Sequence, residues 1–180
     1  MISAVPREAT EALERLRALD AELGPRGVDV ELCLVGGVVM SLVFQRTPAS
    51  RRPRALFGFR SALEDAEHAV GQRLGLGAGW VEEAARRVAG GSGSIAPVYE
   101  GGALRVLAAP AEYVLSFKCA ALEFCPAAAE ITDIEADIRY LMRYLNLREP
   151  SEVLQVISRF INERQRPADL ADRLARMLGS

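Results

Sequence analysis

Histidine and cysteine are scarce in this chain of 180 residues, which holds one histidine, His68, and three cysteines, Cys33, Cys119 and Cys125. The scarcity excludes a disulfide-stapled scaffold, and the spacing fits no zinc-ligand pattern. The cysteines are read as reduced, small hydrophobic residues. His68 lies in a charged run with Glu64, Asp65 and Glu67 and has no organised partner, so it is read as a solvated surface residue and not as a general base. Net charge is lacking too. At −2 the chain exerts no global pull on nucleic acid, although Arg51, Arg52 and Arg54 make a local basic cluster. No apolar run approaches the roughly 18 residues of a membrane span. The first residues, MISAVPREATEALERL, offer neither the basic lead nor the apolar core of an export signal. These absences lead us to expect a cytoplasmic protein with no membrane partner.

What is present is enough apolar surface for a core, since half of the residues are hydrophobic. Leu13, Leu16, Leu19 and Leu23 recur at helical spacing over residues 6–23, and Pro6 suits a first helical turn. The run 28–35 reads as a strand and 38–44 as a short helix, followed by a polar loop broken by Pro48 and Pro53. A second strand-like run is Ala55-Leu56-Phe57, and helices are expected at 61–74 and 80–88. The tract Gly90-Gly91-Ser92-Gly93-Ser94 has the composition of a linker loop. Two β-rich runs, 95–100 and 103–108, flank Gly101-Gly102 and predict a tight hairpin. Past Pro110 the pattern is helical, with helices expected at 111–123, 130–145, 151–162 and 167–178. Strands first and helices last predict an α+β fold: a small mixed sheet flanked by helices over residues 1–109, and a C-terminal helical part over 110–180 packed on it as one compact unit.

Two constellations carry chemistry. The first is the order strand, Gly36-Gly37, helix, loop, strand over residues 28–57. Glycines let a backbone approach an anion closely, and a helix start offers free N–H groups and a positive dipole end. The second is Lys118 with Asp133 and Asp137. Lys118 sits in a mostly apolar helix, where a cation needs solvent or a partner. Asp133 and Asp137 are four apart, one turn from each other on the next helix. Two readings stand. Either the lysine grips a phosphate while an aspartate orients or deprotonates a hydroxyl, or the lysine and an aspartate form an ion pair that docks two helices.

The first constellation resembles the opening of the nucleotidyltransferase fold, as in the AbiE-type abortive-infection toxins and their small relatives. The later part is similar as well: Leu104-Arg105-Val106-Leu107, then Pro110 to Lys118, then Asp133-Ile134-Glu135-Ala136-Asp137-Ile138, so that the likeness spans residues 28–145. For a full member it implies transfer of a nucleoside monophosphate from a nucleoside triphosphate to an RNA hydroxyl, in some toxins the 3′ end of tRNA, or to a protein hydroxyl, with Mg²⁺ as cofactor. It also implies catalytic roles for Lys118, Asp133 and Asp137 and nucleotide binding at Gly36 and Gly37.

One departure bears on activity. Where that family carries a metal-holding Asp-x-Asp, this chain has Arg52-Pro53-Arg54. Carboxylates hold Mg²⁺ beside phosphates, and guanidinium groups are permanently cationic. Arg52 and Arg54 are therefore either a solvated turn or direct phosphate ligands that bind in place of a metal bridge. The expectation is a degenerate fold member that binds a nucleoside triphosphate, an RNA or a protein partner such as a cognate toxin or antitoxin, without Mg²⁺-dependent transfer. The alternative is an active transferase with a relocated metal site, in which Glu100, Asp133 or Asp137 converges near Gly36-Gly37. A third reading is an interaction module presenting Leu170, Leu174, Met177 and Leu178 to another chain, though the core is the more natural destination of those side chains.

Overall fold

Val30–Val35 is an almost continuous apolar run, as a strand hydrogen-bonded on both sides should be, and it forms the centre of the sheet. The computed structural model describes residues 7–35, 37–44, 54–55, 60–75, 82–83, 96–124 and 128–179. Within them the chain is α+β and divides into two units, one holding residues up to Ala109 and the other the helices from Pro110 onward.

In the first unit, α1 (Arg7–Leu23) leads through a short 3₁₀ turn to β1 (Val30–Val35), α2 (Gly37–Leu42), β2 (Arg54–Ala55), α3 (Arg60–Leu74), β3 (Glu82–Glu83), β4 (Ala96–Glu100) and β5 (Leu104–Ala108). The five strands form one mixed sheet in the order β3-β2-β1-β5-β4. β1 runs antiparallel to β2 and parallel to β5, and β4 and β5 are an antiparallel hairpin. Leu16, Leu19 and Leu23 of α1 are buried, as are Leu32 and Leu34 of β1 and Leu104 and Val106 of β5. Each such side chain contributes about 1.5–3 kcal/mol by leaving water. The apolar period of α1 thus becomes packing of helix on sheet. Gly27 ends the segment in the left-handed region, φ 64°, with its N–H on the Gly24 carbonyl at 3.0 Å.

Within the helix expected at 80–88, Glu82 and Glu83 are the described residues, and they pair in parallel with Arg54 and Ala55 as an edge strand. A tertiary partner overrode a weak local preference there. The other edge strand, β4, carries Pro97 and a register shift between Pro97 and Tyr99, both of which discourage pairing with a further strand.

The second unit comprises α4 (Ala111–Phe124), α5 (Ala128–Tyr144), α6 (Pro150–Ile157) and α7 (Leu170–Leu178). Val114, Leu115, Cys119 and Leu122 of α4 are buried with Ile134, Ile138, Leu141 and Met142 of α5, and with Val153 and Ile157 of α6. Tyr113 meets Phe160 edge to face, centroids 5.5 Å apart. Helix α5 stops because Asn146 adopts φ 56°, with the Asn146 N–H on the Arg143 carbonyl and the Leu147 N–H on the Met142 carbonyl, a Schellman closure. Helix α6 starts where Glu152 accepts hydrogen bonds from the backbone N–H groups of Arg148 and Glu149. Helix α7 begins at Leu170, later than its periodicity suggests, because the Leu170 N–H closes a turn on the Pro167 carbonyl. Leu170, Leu174 and Met177 are buried within this unit. They are core residues and not a surface offered to a partner.

Candidate functional site

Helix α2 begins two residues beyond the end of β1, so Gly37 stands just past the C-terminal end of the central strand. The antiparallel register of β1 and β2 pairs Leu34 with Ala55 and Val35 with Arg54. Paired Cα atoms in such a ladder lie about 4.5–5.5 Å apart. Arg54 therefore belongs to the same end of the sheet as Gly37. On its other side Arg54 is in register with Glu82 of β3. Gly36 and Arg52 lie outside the described residues.

Glu100, a substitute metal ligand in the relocated-site alternative, belongs elsewhere. It pairs with Arg105, which pairs with Glu31 near the start of β1, whereas Gly37 follows the end of that strand. At about 3.3 Å per residue, this is on the order of 20 Å from the α2 start. Its carboxylate accepts from Arg105 Nε at 3.3 Å, and Arg105 Nη1 also donates to Glu31 at 3.1 Å. Glu100 is a member of a surface charge ladder across three strands. Glu82 and Glu83 of β3 pair in register with Arg54 and Ala55 of β2. Among the described residues, no three His, Cys, Asp or Glu side chains converge as metal ligands.

In the second unit, Lys118 Nζ donates to Asp137 Oδ2 at 2.7 Å, with the two residues 4% and 2% exposed. α4 and α5 pack side by side, and Asp137 lies on the buried side of α5 with Ile134, Ile138 and Leu141. Asp133, one turn earlier, is exposed. Of the two aspartates, the structure thus brings Asp137 and not Asp133 to the lysine. Removing a buried charge from water costs several kcal/mol, which the partner and its hydrogen bond offset. As placed, the pair joins two helices, and its ammonium is committed to the aspartate.

The remaining reactive groups are quiet. Burial pushes the Cys33 thiol up to about 11, helped by Glu31, and pushes Cys119 up to about 12 against the opposing effect of Arg166. Neither is a ready thiolate. His68 is exposed, its Nε2 2.9 Å from Gln72 Nε2. Cys125 lies outside the described residues.

One polar cluster among the described residues of the first unit was not read from the sequence. The Asp20 carboxylate, on α1, accepts from the backbone N–H groups of Gly102 (3.2 Å), Ala103 (2.8 Å) and Leu104 (2.8 Å) and from Tyr99 Oη (2.9 Å). Desolvation acts to raise its pKa, yet the bonds from Ala103, Tyr99, Gly102 and Leu104 outweigh it and hold the carboxyl below its ordinary value. Desolvation and the bond to Asp20 raise the Tyr99 phenol. A Cβ built on Gly101 would overlap this carboxylate, so the glycine leaves room for it. Asp20 clamps the hairpin turn to α1, and its partners lie 79 to 84 residues away, which no local pattern announces.

Comparison with models of known families, with curated proteins and with solved structures gives no match. Among the described residues no helix is long and apolar enough to cross a membrane.

Proposed function

We propose that this chain is a degenerate nucleotidyltransferase-like protein whose first unit binds a triphosphate-bearing ligand, a nucleotide or an RNA end, through Arg52 and Arg54 and does not turn it over. The observation that carries the proposal is the pairing of Val35 with Arg54, next to the turn that opens α2 at Gly37. A guanidinium binds phosphate by two parallel hydrogen bonds and needs no metal bridge. Further support comes from the placement of the acid that a relocated metal site would call on. Glu100 of the β4 hairpin belongs to the far end of the sheet. Lys118 and Asp137, catalytic in the resemblance, act here as a helix-docking pair. A protein of this kind suits a toxin–antitoxin or phage-defence system, where holding a nucleotide or a cognate partner is itself regulatory.

Isothermal titration with ATP, GTP, CTP and UTP, each with Mg²⁺ and with chelator, tests the proposal. The expected result is binding without Mg²⁺ that Arg52→Ala/Arg54→Ala weakens by tenfold or more, since each hydrogen bond to a charged group is worth about 1.5–3 kcal/mol. Binding that requires Mg²⁺, accompanied by release of pyrophosphate, would establish an active transferase in its place. Absence of binding would remove both.

A further inference from the structure

The outward side of α5 near its C-terminal end has a composition that packing does not require. At 3.6 residues per turn, Ala136, Arg139, Tyr140, Arg143 and Tyr144 share one side, away from the buried Ile134, Ile138, Leu141 and Met142. The Tyr140 and Tyr144 rings are nearly parallel, 18° apart with centroids at 6.4 Å, and Tyr144 is 60% exposed. Arg143 is exposed beside them. Arg139 is half-buried, and its Nη2 lies 3.8 Å from Glu135, long enough to leave the guanidinium end loosely held. From Ala136 to Leu147 the one acid is Asp137, and that is buried against Lys118. The surface therefore combines the exposed Tyr144 ring with Arg139 and Arg143, while Glu135 sits beside Arg139 and the exposed Asp133 lies toward the start of the helix.

We infer that this side of α5 binds single-stranded nucleic acid, with an unpaired base stacked on Tyr144 and adjacent phosphates held by Arg139 and Arg143. Base-on-aromatic stacking is worth about 1–3 kcal/mol per base and tolerates any sequence, while arginines supply the attraction to the backbone. The same face carries no exposed Leu, Ile or Met of the kind that anchors a protein interface. A duplex keeps its bases stacked internally and cannot offer one to a tyrosine. The surface uses none of the residues of the Arg52–Arg54 region, so the two proposals stand or fall separately.

Fluorescence anisotropy of the full chain with labelled oligouridylate, oligodeoxythymidylate and a duplex of equal length provides the test. Single strands are expected to bind more tightly than the duplex. Tyr144→Ala should weaken single-strand binding roughly tenfold while Tyr144→Phe retains it. Arg143→Gln should reduce the slope of log K against log salt by about 0.7. Equal affinity for both strands, or a preference for RNA through its 2′-hydroxyl, supports the inference and identifies the source. Failure of either strand to bind, equal binding of the duplex, or full binding by Tyr144→Ala overturns it, as does loss in Arg52→Ala/Arg54→Ala with none in Tyr144→Ala. Tyr144 is mostly exposed, so the variants keep the core, which circular dichroism verifies.

Discussion

Replacing Asp137 by alanine separates the two roles open to Lys118. In the native protein the ammonium lies 2.7 Å from Oδ2 inside the α4–α5 interface, with both residues at least nineteen-twentieths buried. Deleting the carboxylate leaves a cation without its counter-charge in an apolar helix interface, which costs about 3–5 kcal/mol. That is a large part of the roughly 5–15 kcal/mol that holds an ordinary domain together. With a urea slope near 2 kcal/mol/M, the unfolding midpoint should drop by about 2 M. Lys118→Met, which strands the carboxylate, should cost a similar amount. The double variant Lys118→Met/Asp137→Leu should recover most of the loss, because two apolar side chains of like volume need no desolvation of charge. Urea denaturation followed by far-UV circular dichroism reads all three. If either single variant unfolds at the native midpoint, or if the double variant loses as much as the sum of the singles, the docking account of this pair is wrong.

The Asp20 clamp makes two further tests possible, and the end of α5 a third. Its carboxyl titrates below the unfolded value of about 3.9, so the stability it adds is complete above that pH and is lost as pH falls through the lower folded value. The difference in melting temperature between the native chain and Asp20→Asn should be constant from pH 7 to about pH 5 and shrink below pH 4; a gap that grows on acidification contradicts this. Gly101→Ala should displace the carboxylate and cost about 1–3 kcal/mol, and adding it to Asp20→Ala should cost little more, as a thermal double-mutant cycle would reveal. Asn146→Gly should be tolerated and Asn146→Ala should lose about 1 kcal/mol by calorimetry, since φ 56° strains a residue with a Cβ that lacks a local hydrogen bond.

Periodicity carried much of the fold. The leucines of α1, the apolar run of β1 and the Gly101-Gly102 hairpin each announce their element because the signal lies within a few residues. Edge strand β3 was missed for the opposite reason: Glu82 and Glu83 have no strand signature and become a strand through pairing with a segment nearly thirty positions earlier. Lys118 was legible as a misfit, a cation in an apolar helix, but the choice between Asp133 and Asp137 depends on how α5 is rotated against α4, which spacing alone does not give. Asp20 was illegible because its four donors gather only when the hairpin folds over α1. Tyr140 and Tyr144 look like any aromatic pair at helical spacing until burial shows which side of α5 faces outward.

Amide NMR on the isotopically labelled chain tests the anion pocket at its own location. Titration with ATP in chelator should move the Gly36, Gly37 and Arg54 backbone resonances, and Arg54→Ala should abolish those shifts while leaving Asp20 and its hairpin unperturbed. Unmoved signals at Gly36, Gly37 and Arg54 under saturating ATP, or shifts that survive Arg54→Ala, would contradict the proposal.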